Sequence, residues 1–263
     1  MITNRDSTPD WSGLQLFARY AYAPNERGYC GPDDHLALLE YRSLGLVDRG
    51  LAELAAAFTG PWPYLKLMAE KTGARGPFSR RIVEAYWVGN DLLDAVGTID
   101  FGNVVEERFK SRVGRRMWSH MAEAVPGGIP HHSFHVFVTY PWVGLLTESD
   151  RGEPLEILDQ CRIRWGKVYA VEGEHAVVRS RPLIWDGKRL DLGPPRLETV
   201  TLAVGGLGFT EQLQSGDWVS MHWGWICDRL SPRQLADLRR FSARQLVMTN
   251  DDLAHPGPAM VLG

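Results

Sequence analysis

The feature that most constrains this chain is a change of hydrophobic period, from about 3.6 residues to two, across the polar stretch Glu148–Pro154. Upstream, apolar residues recur at helical spacing. Leu14-Gln-Leu-Phe-Ala-Arg-Tyr-Ala-Tyr offers one apolar face, and Pro24 is expected to stop that helix. Gly31-Pro32-Asp33-Asp34 reads as a second start, with proline at the first helical position and acids in the first turn. Leu36, Leu39 and Leu44 carry it to Gly45. Segments 51–58, 61–71, 78–96, 104–113 and 116–125 follow, the third strongly amphipathic through Ile82, Val83, Tyr86, Trp87, Leu92 and Leu93. Together they predict a bundle of six or seven helices. Pro126-Gly-Gly-Ile-Pro130 breaks the pattern. Residues 131–146 read either way, long enough for a helix yet rich in β-branched and aromatic residues.

Beyond residue 154 the alternation is strand-like. Cys161, Ile163 and Trp165 alternate with Arg162 and Arg164, and Trp218, Ser220 and His222 with Val219, Met221 and Trp223. Glu172-Gly173 and Asp186-Gly187 read as hairpin turns between short strands. Short strands joined this way predict a small closed β-barrel. Ser231-Pro232-Arg233-Gln234 is a capping box that opens a helix over 231–248. The expected class is therefore α+β: a flexible arm 1–12, a helical bundle domain 13–150, and a β-barrel with a C-terminal helix over 154–263.

Composition narrows the function. A length of 263 residues suffices for a substantial core, and a net charge of −3 announces no basic face for nucleic acid. No run approaches a bilayer span and the first 15 residues are polar, so neither a membrane helix nor a signal peptide is expected. Three cysteines, odd in number and widely spaced, argue against a disulfide framework and for a reducing, cytoplasmic setting. No dinucleotide fingerprint, P-loop, nucleophile elbow or Cys-x-x-Cys is present.

Three groups of metal-ligating side chains stand out. Cys161 and His222 offer a thiol and an imidazole on two expected strands, against the plainer reading of a small apolar cysteine and a hydrogen-bonded core histidine. His131, His132 and His135 form the second group, in which His131 and His135 share a face in a helix or in a strand. Cys30 and His35 form the third; if Pro32 opens a helix, Cys30 sits just before its positive end, where thiolate is favoured. Cys227, inside Trp225-Ile-Cys-Asp, reads as core.

Two segments carry a family resemblance. Cys161-Arg-Ile-Arg-Trp-Gly-Lys-Val and Gly216-Asp217-Trp218-Val219-Ser220-Met221-His222-Trp223-Gly224 resemble the HypC/HupF family of small hydrogenase-maturation chaperones over residues 157–240. Members of that family begin Met-Cys, have a Gly-Lys-Val-type stretch five residues on, and carry Gly-Asp-x-Val-x-x-His-x-Gly late in the chain. This chain departs from them in its internal Cys161, which has no free amine, in Trp165 where the family has proline, and in a longer segment between the motifs. The resemblance implies a HypC-like, OB-type barrel. It also implies that Cys161 and His222 serve iron carrying cyanide and carbon monoxide, handed on towards a hydrogenase large subunit or another maturation protein. An assembly factor of that kind is the leading expectation. One alternative is a metal-dependent enzyme whose site lies in the helical domain (Cys30, His35, His131, His135), with the barrel for docking. The other is a non-catalytic interaction module whose ten tryptophans form a binding face.

Overall fold

A computed structural model describes residues 9–148, 152–210 and 212–255. Helices come first: α1 (Leu14–Glu26), α2 (Ala37–Leu44), α3 (Arg49–Ala56), α4 (Trp62–Thr72), α5 (Arg80–Trp87), α6 (Thr98–Phe109) and α7 (Arg115–Ala124). The stretch that the sequence leaves ambiguous is helical. It forms α8 (His132–Phe134), which widens into a π-helical turn at His135–Thr139, and α9 (Trp142–Glu148). Then comes α10 (Glu153–Cys161), where strand pairing had been expected to begin. Pro154, Ile157, Leu158 and Cys161 are its buried face, spaced i, i+3, i+4, i+7, and that helical stripe outweighs the brief alternation at its end.

Strands follow: β1 (Arg164–Glu172), β2 (His175–Ser180), β3 (Leu183–Trp185), β4 (Leu190–Leu192), β5 (Arg196–Thr201), β6 (Ala203–Val204), β7 (Leu207–Gly208), β8 (Trp218–His222) and β9 (Trp225–Arg229). Five of them pair in the order β1-β2-β5-β9-β8, and β8 pairs back onto β1. Every pairing in this ring is antiparallel except β5 with β9, which meet in parallel at Thr201 and Trp225. The chain closes with α11 (Pro232–Ala254), capped by the reciprocal Ser231 and Gln234 bonds and running past the expected end at residue 248. The architecture is mixed α+β. No helix among the described residues is long and apolar enough to cross a membrane.

Other expectations change for local reasons. The amphipathic stretch 78–96 breaks after Trp87 because Gly89 takes φ +96 where its backbone meets the Phe241 ring of α11. The helix expected from Pro32 starts only at Ala37. The Asn25 side-chain amide donates to the Cys30 and Pro32 carbonyls at 2.9 and 2.8 Å, and this holds residues 30–32 as a loop. Of the expected arm, residues 1–8 lie outside the described residues, and Trp11 packs on the core.

Two apolar clusters organise the whole. A small one fills the ring with Val168, Val178, Val200, Val219, Met221 and Ile226. The large one runs from Leu14 through the helices to Trp223, Trp225, Cys227 and Leu230 on the ring and to Leu235, Leu238 and Phe241 of α11. A polar clamp ties α10 to the ring: Asp159 accepts from Arg162 at 2.7 Å and from the Leu183 amide of β3 at 2.8 Å, and it pairs at 3.8 Å with buried Arg164 of β1, which donates to Glu198 and Ser180. Helices and strands thus meet along one continuous core, and the candidate site lies on that seam.

Candidate metal centre

The site begins with a proline. Pro24 lies inside α1, which continues to Glu26, and having no N–H it leaves the Tyr20 carbonyl without its helical donor. His222, the last residue of β8, supplies one instead: its Nδ1 donates to the Tyr20 oxygen at 2.7 Å. A carbonyl can only accept, so the proton sits on Nδ1 and the lone pair on Nε2. That Nε2 is buried and has no hydrogen-bond partner among the described residues.

His132, near the start of α8, is set by a second helix end. Its Nε2 donates at 2.9 Å to the carbonyl of Cys161, the last residue of α10, leaving Nδ1 as the acceptor nitrogen, 3.4 Å from the Tyr86 hydroxyl. The rings of His132 and His222 meet edge to face at 5.2 Å, with Trp87 4.6 Å from His132. One ligand-type atom from each of His132, Cys161 and His222 lies within 4.8 Å of the others, and all three residues are buried. The flanking motifs pair Cys161 with His222 as an expectation, and the fold adds His132 from a third element.

The next two residues after His222 make the tight β8–β9 turn. Trp223 at φ +51 is a non-glycine in the left-handed region, followed by Gly224 at +77. The Trp223 amide is held by the Gln160 carbonyl at 3.0 Å, and its ring stacks on Tyr29 at 4.2 Å. This places the indole beside the Cys161 thiol.

Burial governs the charge state. It pushes His222 down to about 4 and holds His132 well below the ordinary imidazole range, with the neighbouring His222 adding to the effect. It pushes the Cys161 thiol up to about 12. On their own, the three side chains are therefore two neutral imidazoles and a thiol. A metal ion would bind here by displacing the thiol proton.

A cavity of about 230 Å³ adjoins the cluster. His132, Cys161 and His222 form one side, and Phe58, Tyr86, Trp87, Tyr140 and Trp142 supply aromatic faces. Cys30 and His135 also line it. The Cys30 thiol, expected to favour thiolate at a helix start, is instead raised to about 12 by burial, since no helix begins beside it. His135 is pushed to about 3, and its Nδ1 has no partner among the described residues. His131 does not line the cavity. It caps α8 by accepting the Ser133 amide at 3.1 Å, and its ring stacks on Phe241. Its extended backbone puts it outside the helix, so the four-residue spacing to His135 brings no shared face. His35 stays on the loop before α2, near Gly28, and is likewise not among the lining residues. The pairing of residues 30–35 with 131–135 thus reduces to Cys30 with His132 and His135. Cys227 is core, as its apolar setting suggests.

A family model matches residues 9–256, nearly the whole chain and both halves of this site. The chain belongs to the DUF6390 family. That family is one of unknown function, and the match runs through the helices and the ring as a single unit. No curated protein and no solved structure matches the chain. For this DUF6390 protein, function has to be read from the site.

Proposed function

We propose that this DUF6390 protein holds one transition-metal ion between His132, Cys161 and His222 and acts as an assembly factor of the hydrogenase-maturation kind, binding or delivering an iron centre. The observation that carries the metal site is the convergence of three buried ligand atoms within 4.8 Å. A thiolate with two neutral imidazoles suits a first-row ion such as Fe(II) or Zn(II) and leaves coordination positions open. The bonds from His222 Nδ1 to the Tyr20 carbonyl and from His132 Nε2 to the Cys161 carbonyl fix the orientation of both rings, as metal-binding histidines require. The adjoining cavity offers room for non-protein ligands on the ion, which favours an iron carrying cyanide or carbonyl over a closed structural zinc. The motifs around Cys161 and His222 support a HypC-like, OB-type reading of the ring, with a hydrogenase large subunit or another maturation protein as the partner that completes or receives the centre.

A metal-dependent enzyme is the second reading, favoured by the same open positions facing the cavity. Its ligands would be these three residues, rather than His35 and His131.

The test is elemental analysis and infrared spectroscopy of protein purified without oxygen. The expected result is about one metal per chain, lost about tenfold or more in Cys161→Ser, His222→Ala and His132→Ala variants that still melt cooperatively. Cyanide and carbonyl stretches would support the assembly role, and turnover without a partner would support the enzyme. Protein that takes up neither Fe(II) nor Zn(II) defeats both.

A further inference from the structure

The cavity beside the cluster has a composition of its own. Among the described residues that line it, none is Asp, Glu, Lys or Arg. The polar side chains that line it are imidazoles, thiols, indoles and tyrosine hydroxyls. A charged guest would surrender its hydration and meet no ionised side chain on the lining itself, a net penalty. Flat apolar guests meet the opposite situation, because Phe58, Tyr86, Trp87, Tyr140 and Trp142 offer ring faces and edges on several sides.

Size narrows the guest further. A dry apolar cavity of about 150 Å³ holds benzene. The 230 Å³ here is larger, enough for a ring with one or two substituents. An orphan polar atom waits on the wall: His135 Nδ1 is buried without a partner, so a guest carrying one hydrogen-bonding group would satisfy it.

Access is also constrained. A second, outer cleft of about 430 Å³ carries Arg27, Glu153 and Glu156, and it shares only Tyr29, Ile157 and Trp223 with the inner cavity. Those three residues are the partition between charged and uncharged space. Tyr29, 52% exposed, lies over Trp223 as the outermost layer of it.

We propose that the inner cavity is a binding site for a small, uncharged, unsaturated organic molecule of roughly benzene-to-phenol size, entering past Tyr29 and Trp223 and lying against the aromatic wall with the His132–Cys161–His222 cluster at one end. Placing the guest's head at a metal rests on the proposed function; placing its body on the wall does not.

The test therefore uses metal-free protein, prepared with a chelator, and three probes: benzene, phenol and benzoate. Calorimetry and the shift of the thermal midpoint read binding. Benzene and phenol should bind saturably, and benzoate at least about tenfold more weakly. Ile157→Trp, filling the cavity from the partition, and Cys30→Phe, filling it from elsewhere on the lining, should each lower benzene affinity by about tenfold or more. If both filled variants fail to fold, nuclear Overhauser contacts from benzene to the Trp87 and Tyr140 rings of the wild-type protein decide the location. Absence of benzene binding, benzoate binding as tight as phenol, or benzene binding unaltered in two folded filled variants would each overturn the inference. Benzene binding in a protein that takes up no metal would sustain this inference and defeat the metal reading; metal uptake without benzene binding would do the reverse.

Discussion

Lowering the pH from 7.5 to 5 should destabilise the metal-free protein severely, and the cause is its set of buried neutral histidines. Burial holds His131 and His222 at about 4 and His135 at about 3, with His132 also well below the ordinary value. In the unfolded chain each returns to about 6.5. The unfolded state therefore binds more protons throughout the interval, so the stability from these groups is complete above pH 6.5 and is lost as pH falls towards 4. For one histidine shifted from about 6.5 to about 4, the loss between pH 7.5 and 5 is ~2 kcal/mol. His131, His135 and His222 together lose ~6 kcal/mol, and His132 adds to this, against a typical total of about 5–15 kcal/mol. Asp228 and Asp252, both raised by burial, work in the opposite sense, but they are two carboxyls against four histidines, and Asp228 has Arg19 beside it at 2.5 Å. Urea unfolding followed at half-unit pH steps would show the midpoint collapsing between pH 6.5 and 5. His135→Gln should flatten the slope by about one proton. A stability constant to within about 1 kcal/mol across the range, or an unchanged slope in that variant, would refute the reasoning.

Other consequences follow from single contacts. Gly89→Ala should cost about 2–4 kcal/mol in urea unfolding, because a Cβ there would lie 2.0 Å from Phe241 Cδ2 on a backbone at φ +96; a loss below about 0.5 kcal/mol would contradict the packing. Asp159→Ala should cost about 3–5 kcal/mol, since it strips buried Arg162 of its carboxylate and the Leu183 amide of its acceptor; cooperative unfolding at wild-type denaturant would rule that out. In metal-free protein at pH 8, Cys161 should be alkylated about a thousandfold more slowly than a free cysteine, because its thiol is held at about 12. Peptide mapping after timed iodoacetamide treatment reads this, and a rate near that of free cysteine would show that the site is open to solvent.

Much of the local structure is determined by sequence alone. The order of helices before strands, the hairpin turn at Gly173 and the α11 cap at Ser231 and Gln234 rest on periodicity and turn chemistry acting over a few residues. Cys161 and His222 stand out as ligand types for the same reason: their residue identities and flanking motifs are readable without coordinates. Where the local signal misleads, a long-range contact explains it. Residues 30–32 stay a loop because of Asn25, and the 78–96 stretch breaks where Gly89 meets α11. The strand-like alternation at Cys161 yields to the buried stripe of α10. The site itself was decided by tertiary structure. No spacing rule selects His132 over His131, because the choice depends on His131 being spent as a helix cap. Nor does sequence show that Pro24 frees the Tyr20 carbonyl for His222, a contact across 202 residues. Such pairings depend on how packed elements converge, and hydrophobic period carries no information about which elements meet.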